Sequence, residues 1–264
     1  MCLHAVSPLP VDGTVGPWAA LDWSRPWLAD VAPAGLTVDD AVLRGVGVAD
    51  ALNAAWRTDP APVRFVPQTA LPEGEAYERF IRQAGQVPTR DNLHDLFNGL
   101  VWQTFPQSKA VLNRLHCAEI SAHGVGAVRG PVRDAATLFD ENGAVLMAPA
   151  PLWDALLARD WMRLFITLRP LWAQARLVLF GHALMEQLVY PRKSITAHVF
   201  VEQFAINDDV DLDARLAGCL TSDRLRQKPF TPLPVLGVPG WWAANQDPHF
   251  YADPQVFRPR RPGV

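Results

Sequence analysis

The sequence predicts an α+β fold: a predominantly helical single domain with a small antiparallel sheet and an irregular Pro/Trp-rich C-terminal arm. Three observations carry this expectation. Apolar and polar residues recur at helical spacing through much of the chain, two-residue alternation is confined to short stretches, and residues 231–264 hold too many prolines and glycines for long helices or central strands. With 264 residues, 49% of them hydrophobic, the chain has ample apolar surface for one continuous core over residues 1–264.

Residues 18–86 read as a broken series of short helices. Ser24-Arg25-Pro26 offers a cap with proline in the first turn, and Thr37-Val38-Asp39-Asp40 resembles another start, with two carboxylates near the positive helix end. Val63 to Val66 has strand character before Pro67, and Glu75 to Ala84 has a helical pattern.

Residues 90–204 should form the core. Arg90 to His116 reads as two helices joined at Phe105-Pro106, each with a polar stripe on a face that should be buried. His94 and Asn98 stand one turn apart in the first, while Lys109, Asn113 and His116 follow at i, i+4 and i+7 in the second. Buried polar groups need partners, since each left without one costs about 1–3 kcal/mol. The stripes therefore imply a satisfied network or a working pocket. Asn142-Gly143 between apolar runs predicts a hairpin over 135–148, with Asp134 at its strand entrance. Residues 153–189 predict a long helix divided at Pro170. Alternation over 195–204, with Ile195, Ala197, Val199 and Val201 on one face, predicts a half-buried strand. The aromatics of the arm, Trp241, Trp242, Phe250, Tyr251 and Phe257, carry too much apolar area to stand in water, so the arm should wrap the core.

A formal charge of −3 and a pI near 6.1 supply no general attraction for nucleic acid or an anionic membrane, so nucleic acid is a disfavoured partner. The start of the chain lacks the pattern of a secretory or transit leader, which makes the cytoplasm the expected location. The most apolar stretch, 171–190, is interrupted by Arg176, His182 and Glu186, which argues for a buried element over a membrane span. Cys2, Cys117 and Cys219 fit no metal knuckle and no disulfide framework. No GxSxG elbow, phosphate-binding loop, HExxH or dinucleotide fingerprint occurs, and Pro131 spoils the glycine-rich stretch from Gly124 as a phosphate cradle.

The run HDLFNGLVWQTFPQSKAVLNRLH, the phrases RDAATLFDENG and FGHALMEQL, and the ending LGVPGWWAANQDPHFYADPQVFRP together resemble a bacterial family of domains of unknown function, number 3025 in its series. The resemblance spans about residues 20 to 260. It brings no activity or cofactor, and no residue takes a role from it.

Chemistry must therefore come from the residues. His182 and Glu186, at i and i+4 beside Gly181, could form a carboxylate-oriented imidazole, a metal site or a hydrogen-bonded core pair. His94, Asn98 and His116 would converge if their helices pack antiparallel. With a carboxylate such as Asp95 or Asp134 they could form an open divalent metal site or a structural network. The metal-ligand candidates are His94, His116 and His182, and the identity of any cofactor stays open. The catalytic candidates are His94, Asn98, Asp134, His182 and Glu186. Lys109, Asn113 and Arg133 are the substrate-binding candidates, Arg133 through its planar fork. Asp140 and Glu141 are better explained by solvation beside the Asn-Gly turn. The leading expectation is hydrolysis of a small polar or anionic molecule, by metal-dependent or acid/base chemistry. The rival is a non-catalytic binding or assembly protein using a Trp-rich surface, self-association included. A nucleic-acid enzyme is a third reading.

Overall fold

The computed structural model describes residues 17–57, 60–123, 130–204 and 211–260. The start of the chain with Cys2, most of the glycine-rich turn (124–129) and the last residues of the arm (261–264) lie outside the described residues.

Helices α1 (Ala32–Leu43) and α2 (Val48–Ala55) pack together and lead to β1 (Arg64–Pro67). The amphipathic α3 (Tyr77–Ala84) ends at Gly85, whose left-handed backbone (φ 63°) returns the chain so that β2 (Gln86–Thr89) lies parallel to β1. Thr37 to Asp40, expected to start a helix, lies inside α1, whose first turn instead holds Pro33.

The polar-striped segment forms the two expected helices, α4 (Leu93–Thr104) and α5 (Pro106–His123). Asn92 caps α4 by accepting from the Asp95 amide at 2.8 Å. The start of α5 is capped from a distant element: the Asp213 carboxylate accepts from the Gln107 and Ser108 amides at 2.7 and 2.9 Å.

Beyond α5 the expectation needs correction. Residues 135–148 do not form a hairpin. They divide into α6 (Pro131–Asn142) and β3 (Gly143–Met147). Proline sits in the first turn of α6, and Val132, Ala135, Ala136 and Phe139 are buried at i, i+3, i+4 and i+7, so helical periodicity outweighs the Asn-Gly turn signal. Residues 153–189 are likewise not one long helix. Helix α7 (Ala150–Ala158) ends at left-handed Arg159, a π-helical turn (Arg163–Thr167) and a 3-10 turn (Arg169–Gln174) follow, and the chain then forms β4 (Arg176–Leu179) and α8 (His182–Gln187). Leu177, Val178 and Leu179 are all buried. A short run buried throughout fits a strand covered on both faces and carries no helical period.

Strand β5 (Thr196–Phe200) lies within the expected 195–204 span. Helices α9 (Leu212–Cys219) and α10 (Ser222–Arg226) precede β6 (Phe230–Pro234). The main sheet is mixed, in order β4-β3-β5-β6: β3 runs parallel to β5, and the other two pairings are antiparallel. The fold is the expected helix-rich α+β domain with a small sheet; the central pair and the separate β1–β2 ladder add parallel pairing to its antiparallel strands. Phe139 of α6 stacks on Phe180 (4.6 Å between centroids) and meets Phe200 and Phe230, so α6 is fixed over the sheet by aromatic packing.

The arm contributes β6 as the edge strand, with Pro232 opposite His198 and Pro234 opposite Thr196, and then winds back in short 3-10 turns. Phe165 is the hub of this region, contacting Trp161, Trp172, Tyr251 and Phe257. Asn245, completely buried, donates to the Leu236 and Val238 carbonyls at 2.8 Å and accepts from Arg169 at 3.1 Å. No helix among the described residues is long and apolar enough to cross a membrane.

Candidate active site

The face of α4 carrying His94, Asn98 and Trp102, the face of α5 carrying Lys109, Asn113 and His116, and the face of α6 carrying Arg133, Thr137 and Asp140 enclose a cavity of about 390 Å³. Each set follows helical spacing, so the three stripes meet because three helices turn them to one point. Tyr77 and Glu78 of α3 close one side, and His182 of α8 closes another.

Gly181 sets the position of His182. A Cβ at Gly181 would lie 2.4 Å from the Glu141 carbonyl oxygen and 2.6 Å from Asn142 backbone atoms, so only glycine lets α8 start against the end of α6. The Gly181 amide donates to the Gly143 carbonyl at 2.8 Å, fixing that approach.

The side chains form a chain of contacts. Asn98 donates to the Tyr77 hydroxyl at 3.1 Å and accepts from the Lys109 ammonium at 2.8 Å. Lys109 also donates to Asp140 Oδ1 at 2.6 Å, and its ammonium lies 5.6 Å from the centre of the Trp102 ring. The other Asp140 oxygen faces His182 Nδ1 at 3.7 Å, outside hydrogen-bond range. His182 Nε2 meets His94 Nε2 at 3.1 Å, and His94 Nδ1 donates to Glu186 Oε2 at 2.8 Å. Beside this chain, Arg90 holds Asp95 through its backbone amide and two guanidinium nitrogens at 2.6, 3.0 and 2.9 Å.

The two imidazoles are pushed in opposite directions. The hydrogen bond to Glu186 raises the His94 pKa above the ordinary histidine value, outweighing partial burial. Burial lowers His182 to about 3; the attraction of Asp140 does not offset it, and Lys109 and His94 lower it further. Burial alone would raise the Asp140 carboxyl, but Lys109 and His182 outweigh that effect and hold it below the usual carboxylate value. A carboxylate only accepts, so His94 carries its proton on Nδ1. One proton must then serve the Nε2–Nε2 contact. When His94 is protonated it donates to a neutral His182, and when His94 is neutral the donor is His182.

Several sequence expectations change here. His94 and His182 come together, and Asn98, Lys109, Asn113, His116 and Arg133 line the same cavity. Asp134 does not: it is exposed in the first turn of α6, because the segment is helical rather than a strand entrance. Asp140, assigned to a solvated turn, takes the inward position, two helical turns beyond Arg133. Glu186 orients His94 across the α4–α8 contact instead of His182 on its own helix. Lys109 is committed to Asn98 and Asp140, and Asn113 donates to the Glu78 carbonyl and carboxylate at 2.8 and 2.6 Å. Among the described residues no three His, Cys, Asp or Glu side chains are grouped to hold a metal ion, so the expected set of His94, His116 and His182 is not assembled as one. The roles of Tyr77 and of the Arg90–Asp95 pair went unread. The Asp95 role had a signal in Arg90 lying two residues before the Asn92 cap, whereas Tyr77 had none, because α3 reaches the cavity only through the tertiary fold.

Fold and cavity together define a helix-rich α+β protein whose polar side chains converge, histidines and ion pairs included, on one enclosed space. The chain belongs to a family described as proteins of unknown function (DUF3025), whose model matches residues 63–261. That span contains every cavity residue named above. No curated protein and no solved structure matches the chain.

Proposed function

We propose that the cavity is the active site of a hydrolase acting on a small polar or anionic substrate, with His94 and His182 as its acid/base pair. The observation that carries the reading is the 3.1 Å Nε2–Nε2 contact between a carboxylate-backed imidazole and one that burial keeps neutral. Paired titratable groups whose surroundings push their proton affinities apart are the arrangement that acid/base chemistry uses. Neutral His94, its ring fixed by Glu186, accepts at Nε2 from His182; a water that displaces this contact gives its proton to the same nitrogen as it adds to the substrate. The imidazolium so formed is stabilised by Glu186 and returns the proton to the leaving group. His182 faces that nitrogen from α8, and Asp140 and Lys109 act on its ring through their charges without touching the reacting atoms.

Of the arm aromatics on which the assembly reading draws, Phe250, Tyr251 and Phe257 are buried, Trp241 packs on Trp27 (6.1 Å), and Trp241 and Trp242 stay half-buried.

The test is turnover of a panel of small esters, amides and phosphate esters by the full chain, followed by mass spectrometry, with His94→Gln and His182→Gln alongside. Both variants should lose about 100-fold or more of any activity found while keeping the far-ultraviolet spectrum of the parent. Activity that survives both substitutions overturns the assignment.

A further inference from the structure

The cavity wall has two chemically different halves. On one half the polar groups are already engaged: Arg90 with Asp95, Lys109 with Asn98 and Asp140, Asn113 with Glu78, and His94 with Glu186 and His182. On the other half Arg133, Thr137 and His116 line the same space, and no hydrogen bond or ion pair joins their side chains to any described residue. Arg133 Nε is moreover buried without a partner. A buried donor nitrogen without an acceptor is costly, and an anion entering the cavity would supply one. Thr137 stands one turn beyond Arg133 on the same face of α6, and His116 faces it from α5, which packs against α6. A guanidinium fork, a hydroxyl and an imidazole are the donor set that complements an oxyanion. Four carboxylates among the described residues line the cavity: Asp95 is held by Arg90, Asp140 by Lys109 and Glu78 by Asn113, and Glu141 is engaged as well.

We infer that Arg133, Thr137 and His116 form an anion seat, and that the substrate is a small molecule bearing a phosphate or carboxylate group, held there with its reacting bond toward His94 and His182. The inference rests on reading the cavity as an active site, but its test needs no turnover. Inorganic phosphate and acetate are titrated separately into the full chain by calorimetry, in chloride buffer at matched ionic strength. Saturable single-site binding of at least one is the expected result. Preference for phosphate assigns phosphorylated substrates, and preference for acetate assigns carboxylic acids.

Arg133→Gln should weaken the preferred anion about tenfold or more, and Thr137→Val by a smaller factor. Arg226→Gln, which removes an exposed arginine of α10 outside the cavity, should leave the affinity within about twofold. Absence of binding by both anions overturns the seat, as does unchanged affinity in Arg133→Gln. If Arg133→Gln fails to fold, Thr137→Val decides, and parental affinity there overturns the seat as well. Arg133-dependent binding in a protein that turns over nothing would leave the seat standing while removing the hydrolase reading, so the two failures are distinguishable.

Discussion

His182 is the residue at which burial, charge and orientation act together. Its ring is held neutral inside the protein, whereas an unfolded chain would protonate it near the ordinary value of 6.5. A histidine with a lowered folded pKa contributes stability above 6.5, and that stability is lost as pH falls from 6.5 toward about 3, because only the unfolded state binds the proton in that window. His94 has the opposite sign: its raised pKa stabilises the fold below the unfolded value, and that contribution fades as pH rises through the folded one. Urea unfolding between pH 7 and pH 5 should therefore show a steeper loss for the parent than for His182→Gln. The difference should approach about 1 kcal/mol per pH unit well below 6.5. Equal slopes would mean that His182 is protonated in the native protein.

At the scale of elements, the contact between the end of α6 and the start of α8 positions the site. Gly181→Ala would drive a methyl group into the backbone at Glu141 and Asn142, costing about 1–3 kcal/mol through displacement of packed main chain. The same displacement moves His182, so the substitution should also weaken the His94–His182 contact, read as a changed imidazole titration by nuclear magnetic resonance. A normal titration with normal stability would mean that α8 can shift freely. This junction also explains which parts of the fold were legible in the sequence. The polar stripes of α4 and α5 could be read because their polar residues recur at helical spacing, and Pro106 marks their joint. In α6 the Asn-Gly turn signal masked a period that the helix carries locally in Val132, Ala135, Ala136 and Phe139. Residues 176–179 could not be read, because Leu177 to Leu179 becomes a strand only by pairing with β3. Once Asn-Gly is taken for a hairpin, Asp134 appears to face inward and Asp140 outward. The helical phase reverses the two.

At the scale of the whole molecule, one hydrophobic core runs from Trp18 to Phe257, and the arm contributes to it through a polar anchor as well as through aromatics. Asn245 meets three partners at a site with no solvent. Replacing it by alanine leaves the Leu236 carbonyl without its donor and takes one donor from Val238 and one acceptor from Arg169, so Asn245→Ala should cost about 2 kcal/mol and expose the arm to limited proteolysis. Parental resistance to protease would mean that the aromatic contacts of Tyr251 and Phe257 hold the arm alone. A loosened arm would also uncover Phe165, which Tyr251 and Phe257 cover and which does not line the cavity, and so test whether the cavity depends on the arm at all.

The edge strand β6 has a consequence for how copies of the chain meet. Residues 229 and 235 bond to β5 through Val201 N–H to Pro229 O and Val235 N–H to Ile195 O. In an antiparallel ladder every second residue does so, and Pro232 and Pro234 therefore turn their nitrogens toward the free side. Proline has no hydrogen there to give. A strand arriving from another molecule would meet acceptors without the alternating donors it needs, and would find no template along this margin. The prolines that shape the arm thus also stop the sheet from growing into a polymer on that side, whatever the concentration of the protein.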